Sequence, residues 1–556
     1  MTYRRCALLL SLVLAGCSTA KYRAAADRDT YDILRQKEAA VLGQAHPFTI
    51  TTPHSGLDPQ ELAATEIIGE RATVVDLTLT FPDALAQAFS ANRQYLSRKE
   101  SLFLTALALT AERHRWTPRL SAEQEASIRR LSAGGTSRGT DGRFGVTQLL
   151  KSGGSVGLTL ANDLLRVSSG DPRYTASSAV SLNLAQPLLR GFGADVAAES
   201  LTQAERDVIY EIRSFSRSQR TLAVDTASHY YRLLQQQDTV RNEYSNYRNL
   251  VQARERAEAL AVDRLPEFQV DQTRQDELRA RNRYVNAVEQ YQATLDDFKV
   301  FLGLPLGTRL RLDATALAIL VQQGLLAIPL DERQALELAL AERLDLLNEI
   351  DRFDDAKRKI VIADDDLRTE LELFANASLA STPVNRWERY NADQATGTLG
   401  LRLKLPLDRL NERNAYRRTL IDFERQLRQL ALSADQVRDD IRSAFRTLNN
   451  ARQNYQIQQL SADLAARRVE SANLLLQAGR AETRDLLDAQ SASVQARNAL
   501  TQALVDYHLA RLGFLRDLDR LEISATGLTH RLPEATGPLP ALSTPQDTLV
   551  APDQLF

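Results

Sequence analysis

Two periods alternate along this chain. Apolar side chains fall at Val437, Ile441, Ala444, Leu448, Ala451 and Tyr455, alternately four and three residues apart. The run resumes at Ala462, Ala465, Val469, Ala472 and Leu476. It comes back at Ala489, Ser493, Ala496, Leu500, Ala503, Tyr507, Ala510 and Phe514. A mean spacing of about 3.5 marks helices packed as a coiled coil, and so many alanines predict closely spaced axes. A shorter run covers Tyr284, Val288, Tyr291, Leu295, Phe298 and Leu302. Between these stretches the period drops to two. TLGLRLKLPL (398–407) sets Leu399, Leu401, Leu403 and Leu405 against Gly400, Arg402 and Lys404. AVSLNLAQ (179–186), SVGLTLAN (155–162) and RTELELFANASLA (368–380) alternate in the same way. Strands of about ten residues with one apolar and one polar face suit a membrane barrel, lipid outside and water inside. A soluble half-buried sheet is the alternative, but no other part of the chain supplies a core to cover four or more strands. No stretch after the N-terminus has eighteen consecutive apolar residues, so a membrane span must be built from strands.

The chain is written twice. PDALAQAFSANRQYL (82–96) matches ERQALELALAERLDLL (332–347), and LNLAQPLLRGFG (182–193) matches LRLKLPLDRLNE (401–412). HYYRLLQQ (229–236) matches SAFRTLNN (443–450), in the same order. Each copy reads helix, strands, very long helix, helix. The long helices are expected over about 194–262 and 410–478, each roughly 100 Å at 1.5 Å per residue. The helices that follow (about 267–301 and 482–519) and those that open each copy (about 83–116 and 331–366) are near half that length. Two half-length helices laid end to end match one long one. The divisions are a first repeat over 81–305 with strands about 118–188, a linker over 306–330, and a second repeat over 331–520 with strands about 368–406. The strand region of the first copy is some thirty residues longer. Arg143–Leu150, turned at KSGG (151–154), forms either an extra hairpin or part of a long loop. Trp116 and Trp387 lie beside strands as candidate interfacial anchors.

The first residues change the setting. Arg4 and Arg5 precede a run of roughly nine apolar residues, too short to span a bilayer. LAGC, ending at Cys17, looks like a lipobox, so residues 1–16 are expected to be a lipoprotein signal peptide and Cys17 the lipidated residue. Several acyl chains anchor stably where one does not. The only other cysteine is Cys6, inside the leader, so the mature chain holds no disulfide, as suits a periplasmic protein. Residues 17–80 read as a lipid-tethered lead-in. Residues 521–556 read as a Pro-rich, disordered tail. Charged residues make up 25% and nearly balance, which suggests no nucleic-acid partner.

The two copies, the LxLxxP-to-helix joint and the lipobox together resemble the TolC-type outer membrane efflux family, over roughly residues 75–520. That resemblance implies a mostly α protomer with a transmembrane β part. Three protomers would close one β-barrel in the outer membrane of a Gram-negative bacterium and one long periplasmic α-helical barrel. It implies a periplasmic adaptor protein and an inner-membrane pump as partners, and a role as exit duct for efflux or type I secretion. The turns AVDRLPEF (261–268) and QAGRAETR (477–484) become the periplasmic tip. Arg264, Leu265, Gly479 and Arg480 are the adaptor-contact candidates. Asp485 and Asp488, three apart in QAGRAETRDLLDAQ (477–490), match acidic positions that ring the pore in the family. They are expected to gate it and favour cations, with Arg480 or Arg484 as ion-pair latches. A structural or adaptor coiled-coil lipoprotein is the alternative. His229 and His508 are isolated and no nucleophile or phosphate-loop motif occurs, so no catalytic residue, metal ligand or cofactor is assigned. DRFDD (351–355) and DDD (364–366) read as a solvated helix face and a helix end, with a cation site as the alternative.

Overall fold

The computed structural model describes residues 18–532, apart from 59, 131–135, 168–173, 262–265, 383–385, 479 and 525. Helices α1 (Thr19–Leu42) and α2 (Ala64–Arg71) precede strand β1 (Asp76–Leu79). Then come α3 (Phe81–Ala91), α4 (Arg93–Arg115), β2 (Arg119–Arg130), β3 (Thr136–Leu149), β4 (Ser155–Val167) and β5 (Tyr174–Pro187). A short α5 (Ala194–Ala197) leads to α6 (Glu199–Leu260) and α7 (Glu267–Phe301). β6 (Arg309–Leu312) and α8 (Thr315–Gln323) separate the copies. The second copy is α9 (Glu332–Glu342), α10 (Leu344–Asp365), β7 (Glu370–Ala380), β8 (Thr396–Lys404), α11 (Leu410–Gln477) and α12 (Thr483–Asp517). β9 (Leu521–Ser524) and β10 (Gly527–His530) follow. The chain divides into two compact units, taken in turn below: Met1–Thr49, Glu100–Arg213 and Asn348–Leu432; and Ile50–Lys99, Ser214–Leu347 and Ser433–Phe556.

The first unit holds one antiparallel sheet in the order β2-β3-β4-β5-β7-β8. The undecided segment of the first copy is therefore a hairpin, giving four strands there against two in the second copy. Register aligns apolar residues across the strands on one face. Leu120, Val146, Leu158, Leu182 and Ala377 form one cross-strand row, and Ala122, Phe144, Leu160, Val180 and Leu379 the next. Leu373 lies opposite Leu401 and Ala375 opposite Leu399. Much of this apolar face is exposed: Leu120 is 71% exposed and Leu399 74%, while Ala176 and Ser178 further along β5 are buried. The other face is polar. Glu372 accepts from Arg402 at 2.8 Å and Glu370 from Lys404 at 3.1 Å, while Asn183 bonds Asn376. Arg402 also lies 4.9 Å from the centre of the Phe374 ring.

The KSGG turn packs on the joint where β5 becomes helix. Gly193 N–H donates to Ser152 O at 3.2 Å, and Ser152 Oγ donates to Gln186 Oε1 at 2.6 Å. Gly153 has φ 89°, and a Cβ there would fall 2.1 Å from Gly191 O. The far side of the joint is held by the end of α10. Asp365 accepts from Gly191 N–H at 2.6 Å, and Asp366 pairs with Arg190 at 2.9 Å. DDD (364–366) is the helix end expected, but DRFDD (351–355) is not the solvated face expected: of its aspartates only Asp354 is exposed. Asp355 is buried, accepting from Tyr210 Oη at 2.6 Å and pairing with Arg206 at 2.5 Å and Arg358 at 2.8 Å. Burial and the Asp355 carboxylate push the Tyr210 phenol up. Asp351 pairs with Arg213 at 2.5 Å. These arginines belong to α6 and α10, so the aspartates bind helix to helix. The lead-in is helical and packed: Tyr31 meets the Phe103 ring at 5.6 Å, and Glu205 joins Lys37 (2.5 Å) and Arg113 (2.6 Å).

The second unit is the helical seam. Val437, Ile441 and Leu448 of α11 are buried, as are Ala489, Ser493, Ala496, Ala503, Tyr507 and Phe514 of α12. The seam residues beyond Tyr455 are less covered, with Ala462, Ala465 and Val469 half-buried. Each opening helix is broken where the sequence predicted continuity. Asn92 and Arg343 are extended (φ −66°, ψ 121° and φ −65°, ψ 120°). Asn92 Oδ1 caps Tyr95 N–H at 3.0 Å, and its Nδ2 donates to Phe301 O at 2.9 Å. At the second break Asp519, the one described non-glycine residue with positive φ, accepts the Leu344 N–H at 2.9 Å. A side chain that satisfies a freed N–H makes a break cheap. Periodicity cannot see this, because the apolar face continues across both breaks. The presumed linker holds β6, which pairs in parallel with β1. The presumed tail begins with a hairpin: β9 pairs with β10, and Leu521 is buried. Residues beyond 532 lie outside the described set.

Two outcomes are expected. Gly153→Ala meets both a left-handed backbone and the Gly191 carbonyl, so it should cost at least about 2 kcal/mol. Heat-modifiability gels should show the folded band lost at lower temperature, whereas Gly69→Ala on an open surface should leave it unchanged. Burial lowers His508 from 6.5 to about 4, beside the Tyr231 ring at 5.1 Å. The unfolded chain therefore takes up this proton first. The neutral ring's contribution is complete above pH 6.5 and is lost as pH falls toward 4, up to about 3 kcal/mol. Circular-dichroism melts at pH 7.5 and 4.5 should show a smaller acid-induced drop for His508→Gln than for the unsubstituted chain.

Candidate functional site at the helical tip

The tip is where α11 ends and α12 begins, with the start of α7 beside them. Arg480 N–H donates to Leu475 O at 2.8 Å, wrapping the last turn of α11. α12 starts with a capping box: Glu482 is the N-cap, and the Asp485 carboxylate accepts Glu482 N–H at 3.1 Å. Asp485 is thus tied to its own helix end. Asp488 lies one turn on, 3.7 Å from Arg484 at i,i+4, with both side chains more than 60% exposed. An exposed pair of this kind contributes little. Of the two arginines expected as latches, Arg484 reaches only its own helix, and the Arg480 side chain is exposed. Arg264, Leu265 and Gly479 lie outside the described residues, as does Cys17.

The faces of α12 are clearly divided. Leu487 packs with Leu250 of α6 and Ala280 of α7. Asp485 and Asp488 are exposed on the other side. A small cavity between the helix starts is lined by Phe268, Gln269, Gln272, Glu482, Thr483 and Leu487, and neither aspartate lines it. Aligning the N-caps Pro266 and Glu482 sets Gln269 against Asp485 and Gln272 against Asp488. The acid pair therefore belongs to the second copy alone, a difference legible once the helix starts are fixed. Two carboxylates one turn apart on an exposed face attract cations without forming a coordination site by themselves. The two isolated histidines are packed among rings: His229 stacks 4.5 Å from Phe301, and His508 meets Tyr231.

A six-stranded sheet with a largely exposed apolar face, together with helices of 62 and 68 residues, defines a strand-and-long-helix fold. Residues 335–514 match the family model described as "Outer membrane efflux protein". The matched residues lie within the second copy. No curated protein matches the sequence. Among solved structures, the channel CusC is similar at TM-score 0.57 and 12% identity, covering 85% of this chain and 97% of its own. The Campylobacter jejuni CmeC outer membrane channel gives 0.57 and 12%, covering 79% and 85%. The Vibrio cholerae outer membrane protein VceC gives 0.57 and 13%, covering 79% and 95%. At these identities the likeness is one of fold.

The capping role separates the two aspartates. Asp485→Ala should weaken the first turn of α12 by about 0.5–1 kcal/mol, read as faster hydrogen exchange at residues 483–487. Asp488→Ala should leave that exchange unchanged.

Proposed function

We propose that the protein is the outer-membrane exit duct of a tripartite efflux or type I secretion system. It is a passive conduit from the periplasm to the outside. Three copies close the sheets into one barrel in the outer membrane, and the helices form the periplasmic conduit. A periplasmic adaptor protein docks at the tip near Arg264, Leu265, Gly479 and Arg480, and an inner-membrane pump supplies the energy. Cys17 carries the lipid anchor. The observation that carries this reading is the six-stranded sheet, whose apolar face is largely exposed along Leu120, Leu158, Leu182, Leu399 and Leu401. A coiled-coil adaptor lipoprotein has no use for such a face. The family match over the second copy supports the same reading.

Asp485 and Asp488 serve as the gate and selectivity ring. They are exposed, one turn apart, and off the packed side of α12. Six carboxylates around a narrow axis, two from each of three copies, favour cations and are blocked by multivalent ones. The test is single-channel recording of the double variant Asp485→Ala with Asp488→Ala. Cation preference should fall several-fold, and block by multivalent cations should disappear. Unchanged preference and unchanged block would reject the gate.

A further inference from the structure

The first copy carries four strands and the second two, so β2 and β3 are the surplus hairpin. We propose that this hairpin is part of the membrane wall, and that the free edge of β2 pairs with the free edge of β8 in a second copy of this chain. In the trimeric duct proposed above, on which the count rests, the wall then has eighteen strands.

Several observations point the same way. β2 is paired to β3 along its whole length, from Arg119 opposite Thr147 to Arg130 opposite Thr136. Its Leu120 and Ala122 continue the apolar rows Val146–Leu158 and Phe144–Leu160 of β3 and β4, and Ala126 and Ile128 extend the same side of β2 opposite Thr140 and Arg138, with Ile128 75% exposed. A loop in water or a plug in the lumen has no use for that face. The polar residue within it, Gln124, is satisfied on the spot: its Nε2 donates to Asp141 O at 3.1 Å, over Gly142, which has no side chain. The apolar stretch also climbs across the sheet. It spans 399–403 near the start of the register on β8 and 120–128, further along the register, on β2. A band of constant height drifts in this way when strands tilt.

The edges are suited to each other. β2 pairs only with β3 and β8 only with β7, so each has one unpaired side. Unpaired backbone groups are not tolerated in lipid. Six antiparallel strands make the two edges run in opposite senses, so β8 of one copy meets β2 of the next antiparallel, apolar face continuing apolar face. With strands about 4.8 Å apart and tilted about 40°, eighteen give a backbone diameter of about 36 Å, against about 24 Å for twelve. The sheet then encloses a wide water-filled mouth and is not the constriction of the duct.

The chain's two cysteines, Cys6 and Cys17, precede the fold, so engineered thiols report cleanly. Cysteine pairs on the polar face test the wall directly in outer membranes. One member is Ser121, Glu123, Glu125 or Ser127 on β2 and the other Thr396, Thr398 or Arg402 on β8. Glu372→Cys with Arg402→Cys, adjacent within one chain, is the positive control for oxidation. The expected result is a ladder of disulfide-linked dimers and trimers from at least one β2–β8 pair, and none from Thr159→Cys on β4 with Thr398→Cys. A ladder from the β4 pair overturns the proposal, because the hairpin then lies outside the ring. So does the lack of any β2–β8 ladder in protein that migrates as a trimer on native gels. Protein that forms no oligomer overturns the duct reading as well, which separates the two failures.

Discussion

The constraint on which this structure depends is that every backbone N–H and C=O in a bilayer must find a partner. The sheet meets it internally through five antiparallel ladders, and leaves it unmet along one side each of β2 and β8. The remaining features follow. In the proposed duct, period-two alternation sets one face to lipid and the other to water. Cross-strand charge pairs such as Glu372–Arg402 sit on the polar face, where a charge is not stranded in hydrocarbon. In the proposed duct, further copies complete the sheet, whose β2 and β8 each have one unpaired side among the described residues.

The second demand is a firm joint between strand and helix. The protein meets it with backbone contact and buried carboxylates more than with apolar packing. Gly153 lets the KSGG turn approach Gly191, whose N–H is held by Asp365. Below that, Asp351 and Asp355 bind α10 to α6 through Arg206 and Arg213. Removing one partner from such a network leaves a buried charge unpaired, which costs far more than an exposed pair contributes. The helical seam uses the opposite means: small residues such as Ala489, Ala496 and Ala503 bring the axes close with little polar chemistry.

Much of this was legible in the sequence because two periods and one duplication are strong signals. The bounds of α7, α11 and α12 fall within a residue or two of those expected from the heptads and from Pro266 and Gly479. The helix breaks at Asn92 and Arg343 were not legible. The apolar pattern does not change at either, and the break at Arg343 depends on a cap from the distant Asp519, while that at Asn92 uses its own side chain, which also reaches Phe301 O. The solvated face expected at 351–355 is not found, because a carboxylate facing arginines about 145 positions away looks, in one dimension, like a carboxylate facing water. At the tip, the sequence identified Asp485 and Asp488, but only the helix start showed that Asp485 also caps α12. The hairpin at 521–530 was hidden by the Pro-rich composition that follows it.

The account turns on which face of the sheet meets lipid. A nitroxide placed in turn at Leu160, Leu182 and Leu401, and at their neighbours Thr159, Asn183 and Arg402, reads this directly in reconstituted membranes. Relaxation by oxygen, which concentrates in lipid, should dominate at the three leucine positions. Relaxation by a water-soluble nickel chelate should dominate at the other three. Equal water access on both faces would contradict the membrane-spanning wall and, with it, the duct.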